Sequence, residues 1–231
     1  MTYQLNSNLN LTKNSSFYQN ESPRRELKVV IPQSKAIPIF NFLNMSKLGF
    51  FVHHDPRDIH SIYFDDCEMN GYFNHVLGIG KRKKNRIRSY DNLDISLNDT
   101  NIWTYEIKSK IYDLGNKNRT KNNLSSILHS LKPLLPKLLV SYKRYYFINK
   151  NQLRITLDTD LTYTRIHSGI NQIYKAKKLT RDLCILEIKV NIKDALVTNN
   201  QVNQFLKMFK FRISKFSKYC DAVECLRLID I

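Results

Sequence analysis

Carboxylates are scarce in this chain: 20 Asp and Glu stand against 37 Lys and Arg, a formal net charge of +17 at pH 7. Such an excess points to an acidic partner: a nucleic acid, an anionic lipid, or a phosphate-rich molecule or polymer. Part of it is compositional, because Lys, Asn and Ile are abundant together. Drift scatters Lys, however, and does not align Arg along one face of several strands. The four cysteines, Cys67, Cys184, Cys220 and Cys225, form no CxxC pair. That argues against a thiolate metal site and a disulfide framework, and for reduced thiols in the cytoplasm. Residues 1–20 are polar and lack the apolar stretch of a secretory signal. No run approaches the roughly 18 apolar residues of a membrane span, so membrane association would come through a partner chain or through surface charge. Gly78-Ile79-Gly80 precedes KRKK, but the GK[ST] of a P-loop is missing. His53 and His54 point to opposite faces of a strand, and His60, His75, His129 and His167 stand alone.

What is present is alternation with charge on one face. Trp103, Tyr105, Ile107 and Ile111 share one side of a predicted strand; Glu106, Lys108 and Lys110 share the other. Lys84, Arg86, Arg88 and Tyr90 share a face, as do Arg154, Thr156 and Asp158 opposite Leu153, Ile155 and Leu157. Glu187 and Lys189 oppose Leu186, Ile188 and Val190, and Glu26 shares a face with Lys28. A single open sheet with a solvated face produces such a pattern. A sheet closed on itself, with helices outside, aims every polar face at one lumen.

The chain reads as a polar tail over residues 1–22 and one domain over 23–231. Strands are expected at Arg25–Ile31, Phe50–His54, Ile59–Asp65, Lys84–Asp91, Ile102–Tyr112, Leu138–Ile148, Leu153–Leu157, Leu161–Ile166 and Leu183–Val190. A turn is expected at Asp55-Pro56 and a basic loop over 113–121. Helices are expected from Ser34 to about Lys47, over Glu68–Leu77, Leu124–Leu131 and Gln201–Phe211, and in the C-terminal KFSKYCDAVECLRL. The class is α+β.

The inward cations on this reading are Lys28, Arg86, Arg88, Lys108, Lys110, Arg144, Arg154 and Lys189; the inward anions are Glu26, Glu106, Asp158 and Glu187. Guanidinium forks match phosphate oxygens bidentately. So many cations cannot share a dry interior without a counter-anion. Water or phosphate fills the space, or the charges pair off among themselves, as Glu106 with a neighbouring Arg. A minority carboxylate such as Glu187 suits a hard divalent ion that also touches phosphate, Mg²⁺ or Mn²⁺.

Eight segments, RELKVV, HSIYFDD, NRIRSY, YEIKSK, LVSYKRYYF, LRITLDTDL, LEIKV and FSKYC, in that order, resemble the VTC domain. This is the polyphosphate polymerase domain of the vacuolar transporter chaperone family, within the triphosphate tunnel metalloenzyme superfamily. The resemblance covers about residues 24–222. It implies a closed antiparallel β-barrel of about eight strands whose cation-lined tunnel binds ATP and a growing polyphosphate chain, with helices outside. By motif it assigns phosphate contacts to Lys28, to the pair Arg86 and Arg88, and to Lys108 and Arg154. Glu187 becomes the metal carboxylate, and Ser217 and Lys218 the C-terminal pair at the tunnel. A loop lysine after YEIK is also implied; Lys121 is the candidate, with Lys117 and Arg119 competing.

Two departures bear on activity. Hydrolytic tunnel enzymes open with ExExK; here residue 24 is Arg, leaving Glu26 and Lys28, which favours the polymerase branch. Some polymerases place His two residues after the YEIK lysine, where this chain has Lys110. The expectation is a stand-alone, bacterial-type catalytic domain in the cytoplasm that moves the γ-phosphate of ATP onto polyphosphate. A separate membrane protein is a candidate partner and no nucleic acid is expected. Two alternatives stay open: a triphosphate hydrolase, and a non-enzymatic subunit that holds polyphosphate or RNA.

Overall fold

The computed structural model describes residues 24–45, 47–90, 103–111, 114–120, 131–169, 172–191 and 195–229. The polar tail and the segment 121–130, with Lys121 and most of the helix expected at Leu124–Leu131, lie outside these residues. Among the described residues, nine antiparallel strands form one sheet: β1 (Arg24–Pro32), β2 (Phe50–Asp65), β3 (Lys81–Tyr90), β4 (Thr104–Ile111), β5 (Leu114–Thr120), β6 (Leu135–Asn149), β7 (Arg154–Gly169), β8 (Gln172–Thr180) and β9 (Leu183–Asn191). Four helices accompany it there: α1 (Ala36–Met45), α2 (Asn70–Val76), α3 (Ala195–Met208) and α4 (Lys218–Cys225). None is long and apolar enough to cross a membrane.

The hydrogen-bonded order is β1-β9-β7-β6-β2-β3-β4-β5, with β8 paired to the C-terminal part of β7, beyond β9. The α+β class and the antiparallel pairing agree with the sequence. The ladder itself does not close: among the described residues no backbone pairing joins β1 to β5. The two end strands nonetheless approach each other, so the sheet curls and its inner faces meet.

Several elements depart from expectation for local reasons. The Asp55-Pro56 turn is absent; β2 runs through it, and register shifts between Val52, His54 and Arg57 absorb the proline's missing donor. The basic loop at 113–121 is largely strand β5, an edge pairing to β4 despite its Gly and Asn. The two expected strands at 153–166 are one. A register shift opposite Ser141 and Lys143 places Asp160 at φ 55 as the extra residue. That bulge reverses the alternation, so Leu161 and Tyr163 follow Asp158 onto the inner face. Strand β8 was not expected at all.

The outer face is apolar. Leu27, Val29, Ile155, Leu157, Leu186 and Ile188 pack against Ile39 and Leu43 of α1 and Val202 and Phe205 of α3. Ile62, Phe64, Ile87 and Leu139 pack against Trp103 and Leu131. The inner face divides along its length. One part is apolar, with Ile59, Leu138, Val140, Leu161 and Tyr163 packed on Tyr219, Ala222 and Val223 of α4. Helix α4 therefore plugs that part of the concave side, and its N-terminus faces the polar part.

Candidate phosphate-binding tunnel

Register explains how distant segments share one face. Lys28 stands opposite Glu187 and Glu26 opposite Lys189. Glu187 stands opposite Thr156, and Lys189 opposite Arg154. Asp158 faces Arg144, Ser61 faces Arg88, and Tyr63 faces Arg86. Arg86 faces Glu106, which faces Arg119. With Ser61 opposite Val140 joining β2 to β6, inner-face positions on eight strands are thus linked pair by pair.

The carboxylates hold the arginines in place. Arg86 reaches Glu106 through Nε and Nη2, each 2.7 Å from Oε2, and donates to the Tyr63 hydroxyl at 2.9 Å. Arg88 donates to Ser61 at 3.0 Å and Tyr142 at 3.2 Å, and lies 3.6 Å from Glu106. Arg119 Nε also reaches Glu106, at 3.3 Å. Glu106 is 1% exposed, so this is a buried charge cluster. Arg144 grips Asp158 with two bonds of 2.5 and 2.7 Å, and Lys218 adds a third at 2.6 Å. Of the alternatives open in the sequence, the pairing of Glu106 with neighbouring arginines forms. Each of these arginines is pinned from one side by a carboxylate, a hydroxyl or both. Every fork keeps N–H groups beyond those bonds, because a guanidinium carries five donors.

The lysines of this face are bonded as well. Lys28 Nζ donates to the Phe216 carbonyl at 3.0 Å, and Lys84 Nζ to Ser217 Oγ at 2.6 Å. Both meet the N-terminus of α4, where Ser217 is the cap. Lys108 pairs with Glu26 across the gap between β4 and β1 at 2.6 Å. Lys218 also lies 4.6 Å over the Tyr142 ring. Arg154 is exposed at the end of the inner face. Lys110 and Lys117 have strand backbones, but their side chains, like all of Lys121, lie outside the described residues. Lys84 and Tyr63 are additional members of the site. Their inner-face parity with Arg86 and Ser61 is the signal that marks them.

Titration follows this geometry. Burial lowers the Lys28 ammonium to about 8; Lys108 and Lys218 reinforce the fall, and Glu187 opposes it. Burial raises the Tyr63 phenol, but Arg86 and Arg88 outweigh burial and bring it to about 8. Burial also disfavours the Glu187 anion, yet Lys189, Arg144, Lys28 and Lys108 together hold it well below the usual carboxylate range. Glu187 therefore stays ionised.

Cations outnumber carboxylates on this face, so a polyanion is its natural complement. No cluster of three acidic, His or Cys ligands exists among the described residues. Glu187 lies opposite Thr156, whose buried Oγ1 has no hydrogen-bond partner among them. One carboxylate and one unsatisfied hydroxyl are hard oxygen donors. They fit a divalent ion that completes its shell with phosphate and water, not one held by protein alone.

The model of the VTC domain matches residues 23–132 and 116–227. No curated protein matches the chain. Solved structures with a similar fold include a Pyrococcus horikoshii protein, 15% identical, TM-score 0.54, covering 87% of this chain and 99% of its own. A Vibrio parahaemolyticus protein proposed to be an adenylate cyclase is 12% identical, TM-score 0.52, covering 88% and 98%. A Hippeastrum protein, proposed to be an adenylyl cyclase and described as having a dominant triphosphatase activity, is 13% identical, TM-score 0.50, covering 87% and 96%. At these identities the likeness establishes the fold. With the family model spanning nearly the whole described chain, the protein belongs to the VTC-domain family.

Proposed function

We propose that the protein is a polyphosphate polymerase that transfers the γ-phosphate of ATP to a polyphosphate chain threaded along the inner face of the curled sheet. The observation that carries this reading is the convergence of Lys28, Lys84, Arg86, Arg88, Arg144 and Lys218 on one partly plugged concavity. In the proposed reaction the terminal oxygen of the chain attacks the γ-phosphorus. The bond from that phosphorus to the β–γ bridging oxygen breaks, and ADP leaves with the electron pair. A phosphate oxygen is already an anion, so the step needs no general base. It needs positioning and charge neutralisation.

Arg86 and Arg88, held by Glu106, Ser61 and Tyr142, present their remaining N–H groups to the β- and γ-oxygens. Lys28, Lys108 and Lys218 add charge at closer range, and Arg154, Lys189 and Arg144 guide the chain. Lys110, Lys121 and Ser217 are proposed as further phosphate contacts. Glu187 and Thr156 would hold Mg²⁺ or Mn²⁺, which when bound supplies further neutralisation of phosphate oxygens.

Arg24, in place of the first glutamate of the hydrolytic pattern, supports polymer growth over hydrolysis. The triphosphatase description of the Hippeastrum relative favours the second reading, in which water replaces the chain as nucleophile. Purified protein incubated with ATP and Mn²⁺, its products resolved on a gel, separates the two. Long phosphate chains plus ADP support the proposal; orthophosphate plus ADP without chains supports hydrolysis; no turnover refutes both.

A further inference from the structure

Helix α2 ends in a turn that displays apolar side chains to solvent. Gly78, at φ 70, terminates the helix. Ile79 N–H donates to the Asn74 carbonyl at 2.9 Å and Gly78 N–H to the His75 carbonyl at 3.2 Å. This is the Schellman arrangement, which ordinarily sets the residue after the glycine against the last helical turn. Ile79 and Phe73 have that local explanation. Val76 and Leu77, 55% and 72% exposed, do not. Arg82 locks the turn by donating to the Ile79 carbonyl at 2.8 Å.

The cations Lys81, Arg82 and Lys83 follow directly, and residues 69–84 contain no Asp or Glu. A second exposed apolar residue, Leu135, stands at the same end of the sheet. It pairs in register with Asp65 and adjoins Leu134, which lines a cavity of about 320 Å³ with Asn74 and Lys81. The tip is apolar at its apex; Lys81–Lys83 follow it, and Asp65, Asp66 and Glu68 stand at the far, N-terminal end of α2.

We propose that this tip is an interfacial anchor for an anionic membrane: Val76 and Leu77 enter the headgroup boundary while Lys81, Arg82 and Lys83 contact lipid phosphates. The chemistry selects lipid over other polyanions. Nucleic acid or soluble phosphate would use the cations and leave the exposed Leu77 without a purpose. A bilayer interface takes both, because apolar burial and attraction to anionic lipid act together there. The contact is monotopic, consistent with the absence of a spanning helix among the described residues. It rests on residues apart from the phosphate site, so it stands or falls independently of the polymerase reading.

Co-sedimentation of the full chain with phosphatidylcholine vesicles, with and without about one third phosphatidylglycerol, tests it. Binding is expected only to the anionic vesicles. Leu77→Asp should weaken partitioning on the order of tenfold or more while leaving the thermal midpoint and ATP turnover unchanged. Lys81→Glu with Lys83→Glu should weaken it further than Leu77→Asp does. The single native Trp is buried Trp103, so Leu77→Trp adds a reporter whose emission should shift to the blue with anionic vesicles. Three results overturn the proposal: no binding to anionic vesicles, binding that Leu77→Asp leaves intact, or an emission from the introduced tryptophan that vesicles do not move.

Discussion

Replacing Lys28 with Met should make the free protein more stable and its phosphate site worse. The side chains have similar length and packing, so the change removes charge more than volume. Burial lowers the Lys28 ammonium from 10.5 to about 8. That depression corresponds to roughly 3 kcal/mol of penalty on the charged form. Loss of the bond to the Phe216 carbonyl returns about 1 kcal/mol, and Glu187 loses one of several cationic neighbours. A net gain of roughly 1–2 kcal/mol remains at pH 7, which raises the melting temperature by about 2–8 °C for a chain of this size. Urea titration at pH 7, with the slope unchanged, reads it directly. The dependence on pH has a fixed sign. Between about 8 and 10.5 the unfolded chain binds more protons than the folded one, so wild type gains stability through that window and the variant's advantage shrinks. Tripolyphosphate should stabilise wild type far more than the variant. If Lys28→Met instead destabilises the free protein by more than 2 kcal/mol or so, Lys28 is a structural cation and the reasoning fails.

Other perturbations separate binding from folding. Arg154→Glu, at an exposed position, should leave the melting temperature within about 2 °C yet raise the Michaelis constant for phosphate chains by about tenfold; full activity would place Arg154 outside the path. Arg86→Leu strands part of the buried Glu106 charge and should cost roughly 2–4 kcal/mol in denaturant unfolding; adding Glu106→Leu should not restore it, because Arg88 and Arg119 then lose the same carboxylate. Affinity for tripolyphosphate, measured by calorimetry, should fall as pH rises through 8, because Lys28 loses a positive charge and Tyr63 gains a negative one. Tyr63→Phe should remove only the second part of that fall.

The inner face was readable in the sequence wherever strand alternation held. Lys28, Arg86, Arg88, Lys108, Arg144, Arg154, Glu187 and Lys189 all take the inner-face register that a period of two assigns them. The reading failed where local chemistry competed with tertiary pairing. Asp55-Pro56 reads as a turn because a proline lacks the donor that a ladder uses, and only a bulge reconciles it with β2. LGNKNRT reads as a loop because Gly and Asn favour turns, but the hairpin with β4 overrides them. Asp160 hides the continuity of β7 by switching its parity. The pinning of Arg86 and Arg88 by Glu106 was visible as a possibility, since all three fall on facing positions. What no local pattern conveys is the path of α4. Its plug position depends on Tyr219 packing against Tyr63 and Val223 joining Leu138 and Val140, residues far apart in the chain. Ser217 and Lys218 reach the site only because of that long-range packing.

A crystal structure of the protein soaked in tripolyphosphate addresses the central claim most directly. The account predicts a linear density enclosed by the curled sheet, with phosphate oxygens within hydrogen-bond distance of Lys28, Arg86, Arg88 and Lys218. Density confined to the outer surface, with those four side chains still bound only to their present partners, contradicts it.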